Sequence, residues 1–251
     1  MPKIALVTGA NRGLGRSTAL HLAEDGVDLI ITYRSNADEA QEVVDAATKL
    51  GRTAVALRLD VGALDAHADF VSAVGTALAD RWGRDTFDFL VNNAGIGVYA
   101  TFAETTPEAF DQLLNVHFRG AFFLTQRLLP RLADGGRIVN LSTGLTRFTR
   151  PGYAAYASMK GAIEVWTHYL AQELGPRGIT ANVVAPGAIA TDFAGGAVRD
   201  TPGLREHLAA ETALGRIGDA DDIGGVIASM LSDRNAYVTA QRVEASGGTL
   251  I

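Results

Sequence analysis

The sequence predicts an α/β protein, a doubly wound parallel sheet of Rossmann-like type in one domain spanning 1–251, and three observations predict it. Short apolar runs rich in branched residues alternate with longer segments of helical spacing. A glycine-rich turn, TGANRGLG at 8–15, joins the first run to the first helical segment. No Pro/Ser-rich linker divides the chain, and nothing repeats beyond the βα rhythm.

In chain order, Ile4 to Val7, Leu29 to Tyr33, Ala54 to Leu59, Phe89 to Val91, Ile138 to Leu141 and Ile179 to Val184 read as strands. Helices are expected near 14–25, 37–50, 64–80, 108–133 and 155–174, where apolar residues recur at three- and four-residue intervals. Asp221 and Asp222 open a further helix at 221–231, where the helix dipole favours acids. The segment 186–215, with Pro186, Gly187, Gly195, Gly196, Pro202 and Gly203, lacks periodicity, and a substrate lid is expected near 188–212.

Composition narrows the function. Hydrophobic residues make up 47% and charged residues 20%, proportions of a globular chain rather than a disordered one. A net charge of −6 opposes any general attraction to nucleic acid or anionic lipid. No apolar run reaches the ~18 residues of a membrane helix. Absence of cysteine excludes disulfides, thiolate nucleophiles and Cys-ligated metal, and His21, His67, His117, His168 and His207 lack metal-site spacing, so no metal is expected. Met1-Pro2-Lys3 leads directly into the first strand without signal-peptide character, which points to the cytoplasm.

The glycine turn fits a pyrophosphate. Gly9 permits a tight turn, Gly13 lets a phosphate approach the backbone, and Gly15 lets helix and strand pack closely, with Asn11, Arg12 and Leu14 in the same turn. The phosphates would sit on the unpartnered amides of the helix that follows. The spacing T-G-x-x-x-G-x-G departs from the common G-x-G-x-x-G, and no Lys-Ser/Thr pair makes it a Walker loop. Strand two ends Tyr33-Arg34-Ser35 with no acid before Asp38. Arg34, with Arg12 reaching the same group, therefore favours the 2′-phosphate of NADP(H) over NAD.

Tyr156 and Lys160, in YAAYASMKG at 153–161, stand four apart on one helix face. An ammonium close to a phenol is expected to lower the tyrosine pKa, as a tyrosine acid or base requires. The chain holds three lysines and six tyrosines, so the spacing arises seldom by chance, although an idle surface pair has the same appearance. Tyr153 has no lysine four residues on.

Together with Asp60-Val61, NNAG at 92–95, Asn115, RIVNLST at 137–143 and PGAIAT at 186–191, these motifs occur in one family's order, and the whole chain resembles the short-chain dehydrogenase/reductases, in the short single-domain subfamily that includes 3-oxoacyl-carrier-protein reductases. The resemblance implies hydride transfer between NADP(H) and a carbonyl or alcohol carbon of a small molecule. By the same resemblance, Asp60 and Val61 bracket the adenine, and Asn93, Ala94 and Gly95 line the cofactor. Asn115 holds a water in a proton relay ending at Lys160. Tyr156 exchanges a proton with the substrate oxygen, Lys160 also binds the nicotinamide ribose, and Pro186, Gly187, Ile189 and Thr191 fix the carboxamide end. Where the family has a substrate-orienting serine this chain has Thr143, with Ser142 beside it as the alternative hydroxyl.

A non-catalytic NADP-binding sensor on the same fold is the alternative, but usually loses part of the Tyr/Lys set; a methyltransferase commonly carries an acid ending strand two, and none stands there. Ile96, Val98, Tyr99, Leu145 to Phe148, Tyr153 and Phe193 are candidates for an apolar substrate pocket, with Arg147 and Arg150 beside it for any anionic group. Family analogy implies a homotetramer. Phe118, Phe122, Trp166 and Leu170 fit either a helix interface or an internal core.

Overall fold

The structure, a computed structural model, describes residues 2–251 apart from the side chain of Ala194. In chain order the elements are β1 Ile4–Val7, α1 Gly13–Glu24, β2 Asp28–Tyr33, α2 Ala37–Lys49, β3 Ala54–Arg58, α3 His67–Trp82, β4 Phe87–Asn92, α4 Pro107–Leu114, α5 Ala121–Leu128, β5 Leu132–Leu141, α6 Ala154–Leu174, β6 Thr180–Pro186, α7 Ala197–Asp200, α8 Leu204–Ala210, α9 Ala220–Leu231 and β7 Arg242–Ala245. All strand pairs are parallel, in the order β3-β2-β1-β4-β5-β6-β7. The order reverses between β1 and β4, the place where a doubly wound sheet opens a crevice beyond its strand ends.

The period-two alternation of buried strands sets the two layers. Ile4, Leu6 and Ile30 face one side, packing with Phe70, Val74 and Leu78 of α3, Leu124 and Leu128 of α5, and Ile163, Trp166 and Leu170 of α6. Ala5, Val7, Leu29 and Ile31 face the other, against Leu22 of α1, Val43 of α2, and Ile223 and Ile227 of α9. Trp166 is buried, and the half-buried Phe118 and Phe122 pack against it at ring-centroid distances of 6.4 and 5.2 Å, on the margin of the first layer.

The structure departs from the sequence expectations at three places. The helix expected at 108–133 is two helices joined by a π-helical turn, Asn115–Gly120, and α5 ends before Pro130. Gly120 permits the tight passage: a Cβ there would stand 2.3 Å from the Val61 carbonyl oxygen and 2.5 Å from that of Asn115. The segment 64–80 opens with a 3-10 turn, Leu64–Ala66, before α3. Strand β7 was not foreseen; Arg242, Val243, Glu244 and Ala245 are all half-buried, as befits a sheet edge.

Candidate active site

The glycine turn is bolted to the end of β4. Thr8 Oγ1 accepts from the amides of Asn93 (2.9 Å) and Ala94 (3.0 Å), while Asn93 Nδ2 donates to the carbonyls of Thr8 (2.8 Å) and Gly9 (3.1 Å). Gly9 and Gly13 have φ of +63° and +56°, backbone that favours glycine. A Cβ on Gly15 would stand 2.4 Å from Asn93 Nδ2 and 2.5 Å from the Gly9 carbonyl oxygen. Asn93 thus braces the turn rather than offering its amide to a ligand. Asn11 Nδ2 donates to Glu39 (2.6 Å), tying the same turn to α2, and Leu14 packs into the core.

Helix α1 begins at Gly13 with no side-chain cap on its amides and no acid in its first turn. Its open N-terminus fits a diphosphate, which would satisfy orphan amides and meet the positive end of the helix dipole. Thr191 lies over this turn, its Cβ 3.9 Å from where a Gly13 Cβ would stand.

At the end of β2 stand Arg34 and Ser35, and Arg58 donates Nε to the Arg34 carbonyl (3.3 Å). Arg58 was missed by sequence reasoning; its place at the end of β3, next to β2, was the signal. Arg12, exposed in the glycine turn, has its Nη1 3.5 Å from Asp192, a carboxylate that also binds Arg199. Asp60 is exposed, its Oδ1 accepting from the Gly62 amide (3.0 Å), and the Val61 carbonyl is held by His67 (2.9 Å).

Tyr156, Lys160 and Thr143 come together beyond the ends of β5 and β6, all buried. The Thr143 hydroxyl, which accepts from the Leu145 amide (3.3 Å), lies close enough to the Tyr156 hydroxyl to draw its pKa down. Ser142 has other duties: its Oγ donates to Glu164 Oε1 (2.5 Å), an oxygen that also accepts from Thr146 (2.7 Å) and Arg242 Nε (2.8 Å). Between the two candidate hydroxyls, only Thr143 reaches the tyrosine. Lys160 Nζ donates to the Leu141 carbonyl (2.7 Å) and lies 5.8 Å from the Tyr156 ring centroid.

The electrostatics reverse one expectation. Burial pushes the Tyr156 phenol above its ordinary value, and the Thr143 hydrogen bond offsets this only in part. Burial also brings Lys160 down to about 7, which weakens the ammonium that was expected to draw Tyr156 down. Desolvation outweighs the tyrosine–lysine attraction, and Tyr156 is a protonated phenol, poised as an acid.

Asn115 opens the π-helical turn; its backbone lies against the Val61–Gly62 turn and its Oδ1 accepts from Arg119 (3.4 Å). His117, two positions on, reaches the pair directly: it is buried, its ring meets that of Tyr156 edge to face at 5.1 Å, and Lys160 acts on its charge. Pro186 ends β6, and Gly187 follows where a Cβ would stand 2.9 Å from Ser246 Cα. Ile189 pairs with Gly218 and packs into the core beside the crevice.

Around Tyr156 the surface is aromatic and apolar. Tyr99 meets Tyr153 (5.5 Å), Tyr153 meets Tyr156 (6.4 Å), and Phe193, from the segment after β6, covers Tyr156 (5.8 Å). Ile96, Val98 and Leu145 pack with the same cluster. The two arginines are already engaged. Arg147 binds Glu244 through two nitrogens (2.9 and 2.7 Å) and also the Leu250 carbonyl, and Arg150 pairs with Glu211. Phe148 lies beneath both guanidiniums.

A dinucleotide turn beside a buried Tyr/Lys/Thr set defines a nicotinamide-dependent oxidoreductase, and comparison with known proteins is specific. The family described as enoyl-(acyl carrier protein) reductase matches residues 9–249. Tetrahydroxynaphthalene reductase of Pestalotiopsis fici is 36% identical over 98% of this chain and 91% of its own. Among solved structures, the promiscuous reductase LugOII, which catalyses keto-reduction at C1 during lugdunomycin biosynthesis, superposes with a TM-score of 0.94 at 38% identity, covering 99% of this chain and 98% of its own. The angucycline C-6 ketoreductase LanV with bound NADP does so with 0.94 at 36%, covering 99% and 95%. The chain belongs to the short-chain dehydrogenase/reductase family. It is an oxidoreductase acting on carbonyl groups with NADP(H) as cofactor.

Proposed function

We propose that this ketone reductase acts on ketones fused to or flanked by aromatic rings, with Tyr156 as proton donor. The observation that carries the substrate class is the aromatic file Tyr99–Tyr153–Tyr156–Phe193, a run of ring faces and edges that suits a flat π-system. The engagement of Arg147 and Arg150 by Glu244 and Glu211 argues against an anionic or carrier-bound substrate. Relatives named for a hydroxynaphthalene and an angucycline ketone are consistent with it.

When bound, NADPH supplies the hydride to the carbonyl carbon. Thr143 orients the carbonyl oxygen, and Tyr156 gives that oxygen its proton, its phenol being kept protonated by burial. Lys160 then stabilises the resulting phenolate and binds the ribose. Arg34 and Arg58 flank the 2′-phosphate, and the α1 amides with Gly9, Gly13 and Thr191 hold the diphosphate. Segment 188–212 serves as the lid, with Phe193 as its inner face. Phe110, Phe123, Val165 and Tyr169, exposed on α4, α5 and α6, supply one contact of a homotetramer. No helix among the described residues is long and apolar enough to cross a membrane.

The test is NADPH oxidation with 1-tetralone, an aliphatic ketone and a 3-oxoacyl thioester, beside Tyr156→Phe. The aromatic ketone should give the highest kcat/KM, and Tyr156→Phe should lose about 10²-fold or more in kcat. Undiminished turnover in that variant refutes the proton donor; preference for the thioester refutes the substrate class.

A further inference from the structure

His117 presents a chemical puzzle. It is 2% exposed, and its Nε2 lies 2.7 Å from the Ile96 carbonyl oxygen and 3.2 Å from the Ile96 amide nitrogen. One ring nitrogen cannot donate and accept in the same tautomer. The shorter contact selects Nε2–H donating to the carbonyl, because the other tautomer would press two lone pairs together at 2.7 Å. Nδ1 is then a bare acceptor, and it is buried with no partner. It lies against Gly95, where a Cβ would come within 2.9 Å of the ring.

Leaving such an acceptor unpaired costs the fold its desolvation penalty, so a leucine of similar size would serve the fold better. What the imidazole does that leucine cannot is join two parts of the site. Its donor grips the segment after β4, which carries Asn93, Ala94 and Gly95, and its ring stands edge to face against Tyr156 at 84°. We propose that His117 is a positioning residue, a neutral imidazole whose ring fixes the orientation of Tyr156 so that its hydroxyl meets Thr143 and the substrate oxygen.

Neutrality is part of the assignment. The groups facing His117 are Tyr156 and Lys160 from α6 and the uncharged backbone of Gly95 and Ile96; Arg119, on its own turn, reaches toward Asn115. Burial first, and Lys160 second, hold its pKa down to about 3. Lys160, brought down to about 7, is therefore the group beside Tyr156 that changes charge in the working range.

The proposal rests on Tyr156 as proton donor, whose failure shows separately as undiminished turnover in Tyr156→Phe. Two variants divide the imidazole's properties. His117→Gln keeps a donor for Ile96 and no ring; its kcat should fall about tenfold or more with the KM for NADPH nearly unchanged, the mark of lost orientation rather than lost binding. His117→Phe keeps a ring and no donor, and should hold kcat to within about threefold of the parent. The kcat–pH profile between about pH 5 and 9 should have the same limb in the parent and in His117→Phe, since His117 does not titrate there. A His117→Gln variant as active as the parent, a His117→Phe variant weaker than His117→Gln, or a limb lost on removing the histidine would each overturn it. Should His117→Gln not fold, a tenfold loss in His117→Phe would suffice.

Discussion

Replacing Lys160 by methionine is expected to stabilise the protein at about pH 6 while abolishing turnover. Methionine has a comparable unbranched stem and no charge to bury. Burial takes the ammonium from 10.5 to about 7, which corresponds to about 5 kcal/mol of unfavourable free energy for holding the proton in the fold. The sign with pH follows from proton counts. Between pH 7 and 10.5 the unfolded chain holds this proton and the folded chain does not, so the parent gains stability as pH rises. Below about 7 the full cost is present; near pH 9 about 2 kcal/mol of it remains. Against this, methionine leaves the Leu141 carbonyl without its 2.7 Å donor, a loss of about 1–3 kcal/mol. The variant should therefore gain about 2–4 kcal/mol near pH 6 and about nothing near pH 9. Urea denaturation of the cofactor-free protein at both pH values, at one chain concentration, measures this directly. A variant less stable than the parent near pH 6, or one with the same gain at both pH values, refutes the reasoning.

Two further expectations follow from the hydroxyls and the arginines. Thr143→Ala should lower kcat by about 10²-fold with modest change in melting temperature, whereas Ser142→Ala should cost about 1–2 kcal/mol of stability and leave kcat within severalfold, because Glu164 keeps Thr146 and Arg242. Kinetics and thermal melts of the pair separate the two roles; the reverse pattern would return the substrate contact to Ser142. Arg34→Glu should raise the KM for NADPH about tenfold or more while that for NADH changes little, read from initial rates with each cofactor. Equal losses with both would remove Arg34 from the 2′-phosphate.

How much of this was legible in the sequence depended on whether a signal was local. The first six strands were visible because buried strands of a parallel sheet are near-continuous apolar runs, as in Ile4–Val7 and Phe87–Asn92. β7 escaped because Arg242 and Glu244 interrupt it; they are there to serve Glu164 and Arg147, partners distant in sequence. The same holds for the pKa of Tyr156. Four-residue spacing told that Lys160 shares its helix face, but the burial that dominates both groups comes from the packing of β5, β6 and α6, which no local pattern encodes.

Asn115 and His117 show the opposite case, a local signal. Residues two apart on a helix point to nearly opposite sides, so only one of them can face α6. The buried stripe of this stretch runs Leu113, His117, Ala121, Leu124 and Leu128, and its four-residue steps put His117 on the inward face. Asn115 lies off that stripe, at the start of the π-helical turn and against the Val61–Gly62 turn. A histidine on an inward apolar stripe must bond to something to be tolerated; here one nitrogen does and the other does not. His67 shows the same imbalance, its Nε2 on the Val61 carbonyl and its Nδ1 unpaired; what separates His117 is its contact with Tyr156 under the field of Lys160.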